Sequence, residues 1–245
     1  MNFQTTWDQE KYQELNNYLK TKQDLKYQDF HGKIINSNNL IGIRTNELKK
    51  IAKEISKGDY QSFIKINNCN LYELTMIEGF IYGYLKINIQ DLITYLNNYL
   101  EKIDNWALVD LTVSNLKIFK QKENQEIGFK YAKKLCKNKN TWIKRFGIVL
   151  LLNYYLHDIY IDKTLELVSK IKTSDYYVQM AIAWLMSISY IKYKEKTLIY
   201  LVNIQDDFIY NKTISKIIDS RLINKDEKDF LKTLKRKTKK KKIKQ

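Results

Sequence analysis

Apolar residues recur along this chain at the three- and four-residue spacing of amphipathic helices, and no segment alternates apolar and polar residues as a half-buried strand does. Clusters of Asn, Asp, Ser and Gly separate the periodic segments, and Thr45 is the expected N-cap of the first one. The pattern therefore predicts an all-α protein. The predicted helices cover residues 45–56, 72–86, 106–119, 126–136, 142–156, 162–172, 177–192, 195–203 and 210–222.

An aromatic residue begins each of the longer predicted helices. The aromatic residues are Tyr72, Trp106, Trp142, Tyr177 and Tyr210, separated by 34, 36, 35 and 33 residues. With one shorter helix between each pair, this period is typical of stacked helical hairpins such as HEAT and TPR arrays. We expect a single HEAT-like repeat domain over residues 1–231, with a concave surface, followed by a basic and disordered tail over 232–245.

One residue departs from its repeat equivalents at each of three helical positions. Positions three, four and seven after the aromatic residue share its helix face, so they are comparable between repeats. Arg145, Asp110 and Trp184 are the exceptions at these positions, respectively. At position three the equivalents of Arg145 are Thr75, Val109, Met180 and Thr213. At position four those of Asp110 are Met76, Phe146, Ala181 and Ile214. At position seven those of Trp184 are Gly79, Val113, Val149 and Ile217. The exceptions fall in consecutive repeats, which a solenoid brings next to one another.

Two interpretations of these exceptions stay open from the residues alone. In the structural one, Asp110 and Arg145 pair with each other and the indoles belong to the core, because a partly buried acid costs several kcal/mol unless it is paired. In the functional one, the three side chains with Trp106, one turn before Asp110, form a site. Their coincidence weighs against the structural interpretation.

Much of the positive charge is explained by lysine-rich composition and by the C-terminal tail. The formal charge is +16, but 39 of the 43 basic residues are Lys, and Asn, Ile and Tyr are also abundant, a bias typical of AT-rich genomes. The last 14 residues hold nine basic residues and no acid, so without them the charge falls to +7. Such a body is compatible with nucleic-acid binding, to which the tail adds salt-dependent affinity.

Small residue counts exclude several kinds of chemistry. Cys69 and Cys136 belong to no CxxC motif, so two reduced, buried thiols are expected rather than a zinc site or a disulfide framework. With His31 and His157 as the only histidines, and without a glycine-rich phosphate loop, we expect no metal and no cofactor. No proline occurs, and no 20-residue apolar segment or secretory signal is visible, so a cytoplasmic protein without membrane association is expected.

Three motifs, in this order, resemble those of the AlkD-like DNA alkylation-repair glycosylases, a family built from HEAT-like repeats. The motifs are Asn105-Trp106-Ala107-Leu108-Val109-Asp110, Trp142-Ile143-Lys144-Arg145-Phe146 and Tyr176-Tyr177-Val178-Gln179-Met180-Ala181-Ile182-Ala183-Trp184. Gly42-Ile43-Arg44-Thr45, followed by Glu47-Leu48-Lys49-Lys50, is similar to the first helix entry of that family. The resemblance extends over roughly residues 30 to 222.

The resemblance implies a right-handed α-solenoid whose concave face binds double-stranded DNA. It also implies hydrolysis of the N-glycosidic bond of cationic alkylated purines, such as 3-methyladenine and 7-methylguanine, by a monomer that is nucleoid-associated when bound to DNA. Asp110 corresponds to the catalytic carboxylate, and Trp106 and Trp184 to the indoles that flank the damaged nucleotide. The expected DNA contacts are Trp142, Lys144, Arg145 and Tyr177. A cationic base is a good leaving group and needs no general acid. Because members of the family manage without a base-specific pocket, the resemblance also implies an open basic groove instead of a deep cavity.

Two other functions remain as alternatives. The first is a non-catalytic HEAT-like protein that recognises branched or distorted DNA through its basic residues. The second is a protein–protein scaffold, which would need an apolar or acidic concave face.

Overall fold

Every regular element in the described part of the chain, residues 1–237 of the computed structural model, is a helix. The all-α prediction is therefore confirmed. The α-helices are α1 (Gln9–Thr21), α2 (Leu25–Ile35), α3 (Thr45–Ile55), α4 (Tyr60–Ile66), α5 (Tyr72–Tyr84), α6 (Ile89–Leu100), α7 (Trp106–Asn115), α8 (Gln125–Leu135), α9 (Thr141–Tyr154), α10 (Ile161–Ser169), α11 (Tyr176–Lys192), α12 (Lys194–Leu201), α13 (Asp207–Ile218) and α14 (Lys225–Thr233). Two short 3₁₀ helices, Lys117–Lys120 and Lys122–Asn124, follow α7.

The chain divides into two compact units. The N-terminal unit comprises Met1–Tyr131, and the C-terminal unit begins at Ala132, within α8. The single repeat domain over residues 1–231, and the handedness and concave face of a solenoid, stay predictions.

In the N-terminal unit, α5 packs against α3, α7 and α6. Residues around the whole circumference of α5 are buried, as expected of a helix surrounded by others. Two of its glycines face α7: a Cβ at Gly79 would clash with Thr112 Oγ1 and the Tyr99 hydroxyl, and one at Gly83 with Asn115 Nδ2. Glycine at these positions lets α5 and α7 approach closely.

In the C-terminal unit, α11 packs between α9 and α13, while α10 and α12 pack on each other and on α11. Alternate helices thus form two layers, which is the arrangement of stacked helical hairpins. The repeat aromatics lie in the first turn of alternate helices: Tyr72 begins α5, Trp106 begins α7, and Trp142, Tyr177 and Tyr210 follow the starts of α9, α11 and α13. The prediction of a shorter helix between each pair is wrong around α7, which has 10 residues because it ends at Asn115, whereas α6 has 12 and α8 has 11.

Several local predictions need correction. Thr45 is the first residue of α3 rather than its N-cap, because Arg44 occupies the cap position without a side-chain hydrogen bond. The helix predicted over residues 106–119 ends at Asn115, where Leu116 leaves helical backbone geometry and a 3₁₀ helix takes over. Cys136 is buried but Cys69 is only partly buried, and both are free thiols.

The predicted tail begins inside a folded element. Lys232 and Thr233 are the last residues of α14, and residues 238–245 lie outside the described part of the chain. The predicted disorder of the tail falls largely on those residues and stays a prediction. None of the described helices is long and apolar enough to cross a membrane.

Candidate functional site

Helix α7 places Trp106 and Asp110 on one side. The buried side chain of Asn105 accepts hydrogen bonds from the backbone N–H groups of Ala107 (3.0 Å) and Leu108 (3.1 Å), which fixes Trp106 as the first helical residue. Asp110 follows one turn later, and both side chains are partly exposed. The opposite side of α7 is buried in the unit, so residues 106 and 110 belong to its outward side.

Asp110 is distinctive within its column of repeat equivalents. The other four members, Met76, Phe146, Ala181 and Ile214, are all fully buried at 0% exposure, whereas Asp110 is partly exposed. A carboxylate at this position keeps access to solvent, and therefore to a bound substrate, while the helix stays packed through its apolar side.

Trp106 also contacts the N-terminal part of the chain. Its indole Nε1 donates to the carbonyl oxygen of Ile34, near the end of α2, at 3.4 Å. The loop after α2 is held by Glu73 of α5, whose carboxylate accepts from the backbone N–H groups of Ile41 (3.0 Å) and Gly42 (2.8 Å). Burial raises the pKa of Glu73, and these hydrogen bonds oppose the rise. The sequence motifs gave no indication of the contact between Trp106 and α2.

In the C-terminal unit, side chains tie the starts of three packed helices together. Thr141, at the start of α9, donates to Asp175, the N-cap of α11, at 2.6 Å. Gln179 of α11 donates to Asp206, the N-cap of α13, at 3.1 Å. These bonds hold the N-terminal ends of α9, α11 and α13 side by side, where Asn140, Asp175 and Asp206 cap the first-turn N–H groups.

The predicted DNA contacts of this unit gather at the same edge. The rings of Trp142 and Tyr177 lie 4.8 Å apart between centroids, and both residues are partly exposed, as is Lys144. The aromatic row continues through Tyr176, whose ring centroid lies 5.4 Å from that of Tyr177 and 6.0 Å from that of Phe208. Tyr176 and Phe208 are exposed by 55% and 39% and are available for base or sugar contacts. Neither residue was among the DNA contacts predicted from the sequence.

Arg145 differs from these neighbours because it is buried, at 6% exposure. Its Nη1 donates to the carbonyl oxygen of Tyr177 at 2.7 Å, which connects α9 to the first turn of α11. Positioning of the Tyr177 backbone is therefore one role of Arg145, and a phosphate contact from this residue stays a prediction.

Trp184 lies two turns after Tyr177 on α11 and is partly exposed. Its counterparts Gly79, Val113, Val149 and Ile217 are buried, so Trp184, like Asp110, is an exposed member of a buried column. The candidate residues thus form two groups: Trp106 and Asp110 in the N-terminal unit, and Trp142, Lys144, Arg145, Tyr177 and Trp184 in the C-terminal unit. Within residues 1–237, no three His, Cys, Asp or Glu side chains converge as a metal site would require.

Comparison with known families identifies the class of protein. The chain matches the model of the DNA alkylation repair enzymes over residues 2–208. Because this match covers most of the chain, the protein belongs to the DNA alkylation repair enzyme family, which places it in DNA repair. The match begins at residue 2 and ends at residue 208, whereas the motifs predicted similarity over roughly residues 30 to 222. A comparison with curated proteins gives no match.

Proposed function

We propose that this protein is a DNA glycosylase that hydrolyses the N-glycosidic bond of cationic alkylated purines, such as 3-methyladenine and 7-methylguanine, in double-stranded DNA. The observation that carries the proposal is the partly exposed Asp110, in a column of buried apolar residues, one turn after the partly exposed Trp106. Membership of the DNA alkylation repair enzyme family supports the same conclusion.

The reaction divides the work between substrate and protein. An alkylated purine cation takes the electron pair of the broken C–N bond and leaves as a neutral base, so it needs no protonation. Positive charge then develops on the deoxyribose, and a carboxylate close to it stabilises the transition state. Water adds at C1′ and gives up a proton, which Asp110 accepts directly or passes to solvent.

The two indoles have a complementary role in this proposal. Trp106 and Trp184 present electron-rich faces to the developing cation, an attraction worth about 0.5–2 kcal/mol each. The hydrogen bond from Trp106 Nε1 to the Ile34 carbonyl restricts the orientation of this indole. Restricting the ring before the substrate arrives reduces the entropy lost on binding.

DNA binding, in the same proposal, uses the aromatic and basic side chains near the starts of α9 and α11. Trp142 and Tyr177 contact sugars or bases, while Lys144 and Arg145 contribute positive charge towards the phosphates. Such contacts position a duplex without reading its sequence.

The proposal is tested by product release. Duplex DNA treated with a methylating agent is incubated with the protein, and free bases are separated by chromatography and identified by mass. We expect 3-methyladenine and 7-methylguanine to be released, with unmodified guanine and adenine retained. No release from DNA that the protein demonstrably binds would contradict the proposal and would favour a non-catalytic binder of branched or distorted DNA.

A further inference from the structure

Three side chains follow one another along one face of α13. Phe208, Lys212 and Lys216 are separated by four residues each, so they form a stripe along the helix, here named the α13 stripe. Phe208 is 39% exposed and both lysines are partly exposed, whereas the residue that follows each of the three is buried. The α13 stripe is therefore open to solvent while the neighbouring side of the helix packs in the C-terminal unit.

The Phe208 end of the α13 stripe adjoins the predicted DNA contacts. The centroid of the Phe208 ring lies 6.0 Å from that of Tyr176, which lies 5.4 Å from that of Tyr177. The Tyr177 ring in turn lies 4.8 Å from that of Trp142. This row of rings runs from α9 across α11 to the first turn of α13, and the two lysines continue it along α13. Aromatic rings beside positive charge are a combination that binds nucleic-acid strands without sequence preference.

The two lysines have no ion pair within the unit. Neither ammonium group forms a hydrogen bond or an ion pair with another residue of the described range 1–237. Burial lowers the pKa of Lys216, and the charges of Lys212 and Arg145 lower it further, while the charge of Asp219 opposes the shift. Lys216 thus loses part of its hydration without gaining a carboxylate partner. A bound anion would supply an acceptor and offset the repulsion between like charges one turn apart.

The acids at the start of α13 are engaged with other groups. Asp206 caps the first turn of the helix, and it also accepts from Gln179 of α11 at 3.1 Å. Asp207 accepts from Nη1 of Arg236 at 3.2 Å. These carboxylates are therefore held away from the lysines, and the α13 stripe keeps a surplus of positive charge.

We propose that the α13 stripe contacts one strand of duplex DNA, with the ammonium groups of Lys212 and Lys216 on neighbouring phosphates and the Phe208 ring against a sugar. The proposal rests on the proposed function only in taking DNA as the partner. The Cβ atoms of residues one turn apart are about 5–6 Å from each other, and the flexible lysine side chains reach successive phosphates from that spacing. Both lysines lie beyond the family match, which ends at residue 208. The α13 stripe is thus a feature of this chain that the family model does not describe.

The role of the lysines is tested by removing their charge and by restoring it. Lys212→Gln, Lys216→Gln and the combined variant remove the charge, and a variant with both lysines changed to Arg keeps it. The matched control is Lys133→Gln combined with Lys163→Gln, which removes two exposed lysines from α8 and α10. The dissociation constant for an undamaged duplex of about 20 base pairs is measured between about 50 and 300 mM salt. Circular dichroism confirms that each variant is folded.

We expect each single Gln variant to weaken binding about three- to tenfold at the lower salt concentrations. The combined Gln variant should also reduce the slope of log K against log salt by about 2, because each phosphate contact contributes about 0.9. The combined Arg variant and the control should bind within about twofold of the unchanged protein, with a slope changed by less than about 0.5.

Phe208→Ala tests the uncharged end of the α13 stripe. We expect binding about three- to tenfold weaker with the salt slope unchanged, because a ring against a sugar releases no counterion. Phe230→Ala is the control, since Phe230 of α14 is also an exposed phenylalanine, at 53%, and should change affinity less than about twofold. Unchanged affinity of the Phe208→Ala variant would overturn the contact from Phe208.

Lysine protection in the unchanged protein gives a result that is independent of the variants. The protein is acetylated with an N-hydroxysuccinimide ester, with and without saturating duplex, and the modified peptides are quantified by mass spectrometry. Phosphates bound to Lys212 and Lys216 should slow their acetylation at least about threefold, with Lys133 and Lys163 changed less than about twofold.

Three results would overturn the phosphate contacts. They are unchanged affinity and salt slope in the folded combined Gln variant, a loss of the same size in the control, and equal acetylation of Lys212 and Lys216 with and without DNA. Each of these results leaves the proposed function intact if methylated bases are still released. Conversely, absence of base release together with weaker binding by the Gln variants would overturn the proposed function and keep the α13 stripe.

Discussion

The N-terminal unit contains two further carboxylates on α5 that are more buried than Asp110, and each has a structural role. Glu78 is completely buried, and its oxygens accept from Lys102 Nζ (2.9 Å), Tyr82 OH (2.9 Å) and Asn67 Nδ2 (2.6 Å). Glu73 holds the loop before α3 through backbone N–H groups. Burial alone therefore does not mark a catalytic acid in this chain, whereas partial exposure in a buried column distinguishes Asp110.

Sequence comparison between repeats identified Asp110 because its column is otherwise apolar. The same comparison did not reach Glu73 and Glu78, because they lie one and six positions after Tyr72, outside the positions three, four and seven that were compared between repeats. The burial of Arg145 could not be predicted from the sequence either, because the scarcity of arginine does not show which acceptor its guanidinium group binds. Here that acceptor is a backbone carbonyl, at Tyr177, and backbone positions follow from the packing of α9 on α11.

The environment of Cys69 leads to a prediction about thiol reactivity. Burial and the charge of Glu78 raise the pKa of the Cys69 thiol to about 12, from a reference value of 9.0, and burial raises that of Cys136 to about 12. Only the thiolate reacts with iodoacetamide. We expect labelling of either cysteine at pH 8 to be about a thousandfold slower in the folded protein than in urea, as measured by peptide mass spectrometry. Equal rates in the two states would contradict these environments.

Among the helices, the apolar periodicity predicted the long and largely apolar ones and missed several in which polar and apolar residues are more mixed. Helices α1, α2, α4, α6 and α14 were not predicted individually, yet each is preceded by an Asp or Asn whose side chain caps it. These caps are Asp8, Asp24, Asp59, Asn88 and Asn224. Asparagine and aspartate are so frequent in this chain that they were assigned to breaks between helices, although the same residues also start helices.

The close approach of α5 and α7 gives a prediction for stability. Gly79→Ala places a methyl group against Thr112 Oγ1 and the Tyr99 hydroxyl, so we expect a loss of about 1–3 kcal/mol from overpacking. Urea unfolding followed by circular dichroism measures the loss. Ser114→Ala, on the exposed side of α7, is the control and should change stability by less than about 0.5 kcal/mol. A fully stable Gly79→Ala variant would show that α5 and α7 can separate without cost.

At the scale of the whole chain, the repeat period predicted which helices form the packed rows within each unit. The period carries no information about the division of the chain into two compact units. Composition assigned residues 232–245 to one tail, but Arg236 folds back on Tyr210 and Asn211. This attachment depends on one aromatic side chain, that of Tyr210, and one amide side chain, that of Asn211. Neither the composition nor the periodicity of the sequence indicates such a contact.

The decisive measurement for the role of Asp110 is the single-turnover rate of 7-methylguanine release by Asp110→Asn and by the unchanged protein, with duplex binding measured in parallel. Asp226→Asn, in the exposed first turn of α14, is the control for loss of one negative charge. In the proposed reaction Asp110 stabilises charge that develops in the transition state, so we expect its variant to be about 100-fold slower or more, with DNA affinity changed less than threefold. Release by Asp110→Asn at the rate of the unchanged protein would contradict the assignment of Asp110 as the catalytic carboxylate.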